Sequence, residues 1–153
     1  MTNCSSGDSP AKREYAAPSS LCGTAVSSSA LEPLLPAGKK ISSVRSGPAG
    51  FARCRLVVDG QVVVTSIAEQ WRSGTTLSDG TYGIKSGGVE KGNTRYAVTD
   101  AQAVGRIACA KRGGDGHVVF ALVREEHGTA GAAAMEKVIT EFTDSVSASE
   151  QCA

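Results

Sequence analysis

The pattern of apolar and polar positions changes character several times along the chain. Residues 51–71, FARCRLVVDGQVVVTSIAEQW, hold two β-branched runs on either side of Asp59-Gly60. An Asp-Gly pair favours a type I′ turn, because both central residues need positive φ. This predicts a hairpin in which Val58 faces Gln61, Leu56 faces Val63 and Cys54 faces Thr65. Cys54, Leu56, Val63 and Ile67 would then share the core face, with Trp71 continuing it. Val57, Val62 and Val64 would line a second face that is also apolar and needs its own cover. Near the C-terminus the period changes. Met135, Val138, Ile139, Phe142 and Val146 recur at helical spacing, predicting an amphipathic helix of four to five turns with Thr129 as its N-cap.

The remaining segments are read with less periodicity. SSSALEPLLPAG predicts a short helix with Ser29 and Glu32 as a capping box, Leu31, Leu34 and Leu35 on one side, and Pro36 and Gly38 as its stop. HVVFALVRE, residues 117–125, reads as a strand, and 95–111 as one or two more, with Ile107 and Cys109 pointing the same way. Residues 72–93 are rich in Gly, Ser and Thr and read as an excursion with a short strand around Tyr82–Ile84. Residues 1–19 are small, polar and Pro-containing, and read as a flexible polar tail, leaving 20–153 as one domain. Short turns between strands make antiparallel pairs. The expected fold is therefore α+β: an antiparallel sheet of about four to six strands, covered on one face by a short N-terminal and a longer C-terminal helix.

Composition removes several function classes. Net charge is +1, with acids and bases interspersed, and aromatics are 5% of the chain. A phosphate-backbone binder concentrates Lys and Arg on one face, and a single-strand binder needs stacking platforms, so no nucleic-acid partner is expected. No apolar run approaches the ~20 residues that span a bilayer, and no stretch at the start reads as a signal peptide.

The five cysteines, at 4, 22, 54, 109 and 152, form no C-x-x-C, and neither His117 nor His127 is spaced from one as in a zinc site. Wide spacing favours disulfides, and disulfides favour an oxidising compartment, so an exported protein is expected. The competing reading is a set of buried free thiols. No metal or cofactor is expected. GGDG supplies a single carboxylate, too few oxygens for calcium, and GIKSGGVEKGN lacks the strand-to-helix setting of a phosphate loop.

In order, LCGTAV, LLPAGKK, CRLVVDG, a strand ending near Trp71, a late-strand cysteine and a C-terminal helix closing on a cysteine resemble a group of small exported proteins, often lipoproteins, of high-GC actinobacteria with no assigned function. The resemblance covers residues 20–153. It implies a cell-envelope or extracellular location and a layout in which Cys4 is the lipid-bearing residue and the polar tail a tether, so that the membrane is reached only through the anchor. Asn3 stands where such motifs carry a small residue.

The four body cysteines allow three pairings. Cys22–Cys54 with Cys109–Cys152 would pin the N-terminal segment to the first strand and the last helix to the sheet. Cys54–Cys109 with Cys22–Cys152 is the rival. Candidate binding positions are Trp71 and Tyr82 with the 72–93 loop, and the basic Lys39-Lys40 pair with Arg45. The expected function is a non-enzymatic envelope or extracellular module that binds a protein or a small ligand. The alternatives are an immunity or inhibitor protein for a secreted enzyme or toxin, and a small hydrolase or isomerase using His127 with Glu125 or Glu126.

Overall fold

The Asp59-Gly60 turn forms as the sequence predicts, with φ of 49° and 85°. The computed structural model describes residues 12–48, 51–72, 89–91, 94–109, 116–128, 130–149 and 152. The chain runs β1 (Ser20–Leu21), β2 (Thr24–Ala25), α1 (Ser28–Leu31) with a 3₁₀ turn (Glu32–Leu34), β3 (Ile41–Ser46), β4 (Phe51–Val58), β5 (Gln61–Arg72), β6 (Val89–Lys91), β7 (Thr94–Val98), β8 (Gln102–Cys109), β9 (His117–Glu125) and α2 (Ala132–Ser147). β3 to β9 form one seven-stranded sheet in the order β3-β4-β5-β9-β8-β7-β6. Every pairing in it is antiparallel. β1 and β2 make a separate small hairpin. The fold is the expected α+β class, with α1 and α2 over one face and two disulfides, Cys22–Cys54 and Cys109–Cys152.

The central hairpin departs from the predicted register. Val58 pairs with Gln61 and Val57 with Val62, but a bulge follows, and beyond it Leu56 pairs with Val64 and Cys54 with Ser66. An extra residue in one strand turns every later side chain to the opposite face. Val63 and Val64 both enter the helix-covered core, while Ile67 joins Val104, Val118, Phe120 and Leu122 on the other face. Trp71 also lies there, edge-on to Phe120 with ring centroids 5.9 Å apart. The expected core face of Val63, Ile67 and Trp71 is thus split. Three consecutive valines carry no polar marker to fix where the extra residue goes. The carbonyl of Val63 is taken by the amide of Glu126 at 2.9 Å, which satisfies the backbone at the bulge.

Both helices follow from their apolar positions, but their caps differ from expectation. In α2, Met135, Val138, Ile139, Phe142 and Val146 are buried as the stripe predicts, and its N-cap is Gly131. α1 is capped by Ser27, whose Oγ accepts from the amide of Ala30 at 3.2 Å. Ser29 and Glu32 form no capping box. The carboxylate that such a box supplies locally comes instead from α2: Glu141 accepts the Ser27 amide at 2.8 Å. That bond comes first among the causes that hold the Glu141 carboxyl below its usual range.

The stretch assigned to the tail also needs correction at its inner end. Residues 13–18 run along the body. Glu14 donates its amide to the Gly38 carbonyl at 2.8 Å, the Tyr15 hydroxyl donates to the Pro36 carbonyl, and Tyr15 and Ala17 pack against the core. Tail composition described residues 1–19 as a whole and overlooked one aromatic anchor within them.

Candidate functional site

Small residues on neighbouring strands leave room above a sheet. One lateral row on the helix-covered face reads Ala52, Ala68, Ala121, Gly105 across β4, β5, β9 and β8. It continues to Tyr96 on β7, whose hydroxyl meets that of Thr143 on α2 at 3.2 Å. α2 packs on the β7, β8 and β9 end of this row. At the β4 and β5 end lies a cleft of about 500 Å³.

Four small side chains, Ala52 and Cys54 of β4 with Ser66 and Ala68 of β5, contribute to the cleft floor. One wall is the β1–β2 hairpin, from Leu21 to Thr24. Its turn, Cys22-Gly23, has φ of 50° and 93°, the pair of positive values that a two-residue type I′ connection requires. The Cys22–Cys54 bridge ties this turn directly to the floor. The opposite wall is the end of α2, with Phe142 and Val146, followed by Ser149. The Ser149 carbonyl accepts the amide of Cys152 at 3.1 Å, and Cys152 is bridged to Cys109 on β8. Each wall is therefore fixed to the sheet by one covalent staple, and preorganisation of this kind lowers the ordering cost of binding.

The polar groups of the cleft form a second row. Arg45, Cys54 and Ser66 are lateral neighbours across β3, β4 and β5. Arg45 stands at the sheet edge and donates its guanidinium to the Cys22 carbonyl. Ser66 stands inside, only 2% exposed, and among the described residues its hydroxyl has no hydrogen-bond partner. Such a buried group carries a cost of about 1–3 kcal/mol unless something satisfies it. Phe51 and Arg53 border the cleft from β4, but their side chains belong to the other face, where Phe51 packs with Ile67 and the Arg53 guanidinium lies 5.5 Å from its ring centroid. Arg45 is the arginine whose side chain shares the Ser66 row, and among the described residues no carboxylate lines the cleft.

The positions singled out from sequence are scattered. The amides of Lys39 and Lys40 both donate to the Asp59 carboxylate at 3.0 Å, at the turn end of the β4–β5 hairpin. Trp71, 41% exposed, lies ten residues along β5 from Gln61, about 33 Å by strand rise, and on the other face. The structure does not bring the lysines and Trp71 together. Tyr82, Cys4 and most of the 72–93 stretch lie outside the described residues.

His127 lies in a turn, exposed, beside Asp59 in a shallow depression with Pro36, Val58 and Val63. No hydrogen bond or ion pair joins it to Glu125 or Glu126 among the described residues. Glu125 is buried, while Glu126 accepts from Thr65 Oγ at 2.7 Å and lies 3.9 Å from Arg124 Nε. Among the described residues no three His, Cys, Asp or Glu side chains gather to hold a metal ion, and no helix is long and apolar enough to cross a membrane.

Sequence reading placed Cys22 and Cys54 together but missed the cleft beside them. Its floor alternates with residues of the other face in ARC and SIA, two tripeptides that give no signal until register aligns them. No family model, curated protein or solved structure matches this chain.

Proposed function

We propose that this chain is an exported, non-enzymatic binding module that takes a small ligand, or an extended segment of a partner, in the cleft between the β1–β2 hairpin and the end of α2. The observation that carries the reading is the pairing of a buried Ser66 in the floor, unpartnered among the described residues, with walls that are each stapled by a disulfide. Two bridges that fit an oxidising compartment support export, which accords with the resemblance to actinobacterial envelope proteins. On that resemblance Cys4 would bear the lipid of an anchor.

The test is native mass spectrometry of protein matured in the organism that makes it. The expected result is a 1:1 retained species that Ala52→Phe, which fills the floor, removes and His127→Ala leaves in place. Circular dichroism confirms that both variants fold. The reading fails if nothing is retained, or if retention ignores Ala52→Phe. It yields to the hydrolase or isomerase alternative if His127→Ala abolishes biological activity while Ala52→Phe spares it.

A further inference from the structure

The cleft has a direction as well as a volume. Its edge carries a cation, Arg45, and its interior carries a hydroxyl, Ser66, two strands further in. Their Cα atoms are therefore about 9–10 Å apart. Past them the surface turns apolar, with Ala52 and Ala68 below and Phe142 and Val146 at the side. Ligand sites commonly combine an apolar lining with a few placed polar groups, in volumes of about 300–1,000 Å³, and this cleft of about 500 Å³ falls inside that range.

We infer that the ligand is an amphipathic organic anion of the acyl-amino-acid type, with its carboxylate at Arg45, an amide carbonyl accepting from Ser66 Oγ, and its hydrocarbon tail against Phe142 and Val146. This rests on the cleft being the binding site and adds the chemistry of what it binds. Three features of the lining select that class. The guanidinium has donors beyond the one given to the Cys22 carbonyl, and guanidinium groups pair well with carboxylates. Among the described residues no acidic side chain joins the lining to attract a cation. The Ser66 hydroxyl, lacking an acceptor among the described residues, is satisfied by a ligand carbonyl, and a purely hydrocarbon ligand would leave it unpaired.

The experiment uses two probes that differ only in their charged end: N-octanoylglycine and N-(2-aminoethyl)octanamide, each titrated into the oxidised full chain and followed by backbone amide shifts. The expected result is saturable shifts for residues 21–24, 52–54 and 66–68 with the carboxylate and none with the amine. Arg45→Gln should weaken the carboxylate about tenfold and Ser66→Ala about fivefold. Equal binding of both probes, or an Arg45→Gln variant that binds as well as the wild type, overturns the inference. If neither probe binds while the retained species that Ala52→Phe removes is still found, the ligand class is wrong and the cleft reading survives. If neither probe binds and nothing is retained, both are wrong.

Discussion

Cys22-Gly23 and Asp59-Gly60 close two hairpins with nearly the same dihedrals, 50° and 93° against 49° and 85°. Their first residues then do opposite things. The Asp59 side chain folds back onto its own fold, taking the amides of Lys39 and Lys40, while its own amide donates to the Lys40 carbonyl at 3.1 Å. That end is closed: Gly38 packs so tightly that an added Cβ would lie 2.4 Å from Val58 Cγ1. Cys22 forms a covalent bond to the next layer, and its hairpin stands off the sheet as one wall of a cleft. One backbone shape thus serves as a seal where its side chain is a hydrogen-bond acceptor, and as a strut where it is half of a disulfide. A seal of this kind depends on pH, and a strut of this kind depends on redox state.

The strongest way to break that contrast is to cut the struts. The bridges close sequence separations of 32 and 43 residues. Loop-closure entropy puts each at up to about 4 kcal/mol, less whatever structure the denatured chain retains. The paired variants Cys22→Ser/Cys54→Ala and Cys109→Ala/Cys152→Ala should each lose about 2–4 kcal/mol in urea unfolding. Hydrogen exchange should localise the damage. The first pair should expose amides of 20–25 and leave those of Lys39 and Lys40 protected. Loss of protection at Lys39 and Lys40 to the same degree would mean that the two ends are one cooperative unit and the contrast is empty.

A smaller effect isolates the sealed end. Gly38→Ala pushes a methyl into Val58 and to 2.9 Å from Asp59 Oδ2. Overpacking of this sort costs about 1–3 kcal/mol. The variant should release the Lys39 and Lys40 amides without altering the cleft. Gly23→Ala makes the matching test at the other turn. Its φ of 93° strains any L residue, and an added Cβ would lie 2.9 Å from the end of the Arg45 side chain. About 1–2 kcal/mol of backbone strain is expected, together with a displaced Arg45 that weakens any anion in the cleft.

The two turns also mark what a sequence reveals. Asp59-Gly60 was legible because long β-branched runs flank it. Cys22-Gly23 was not, because its strands are two residues each and show no period. β3 was missed for a related reason: of ISSVRS, five residues are exposed, so an edge strand looked like a loop. The α2 stripe was plain because five large apolar residues repeat at one period. The sequence puts the α1 cap at Ser29, because Glu32 follows it at capping-box spacing, whereas the structure caps the helix with Ser27. Tertiary partners decided it: Glu141 takes the Ser27 amide, while the Ser28 hydroxyl donates to the carbonyls of Ala17 and Pro18. The pairing of the four body cysteines could be ranked but not fixed, since the rival pairing also joined inward positions.

The mildest test is pH, and it separates the two ends most cleanly. Two backbone amides, those of Lys39 and then Lys40, hold the Asp59 carboxyl below its usual range. A group depressed in the folded state takes up its proton first in the unfolded state. Its stabilisation is therefore full above the ordinary carboxylate pKa of about 3.9 and is lost as pH falls through the lower folded value. Wild-type stability should decline in that acid window. Asp59→Asn should start lower at neutral pH, because an amide oxygen accepts less strongly than a carboxylate, and should decline less steeply. The strut end is not wholly silent to acid, since Glu141 is also depressed, chiefly by the Ser27 amide, and Ser27 follows β2 by two residues. The double variant Asp59→Asn/Glu141→Gln should therefore be flatter than either single one. The Cys22–Cys54 bridge should continue to hold its wall through the whole acid range, until reductant is added. An acid limb that Glu141→Gln alone abolishes would place the pH dependence at the contact between α2 and Ser27 and remove it from the seal.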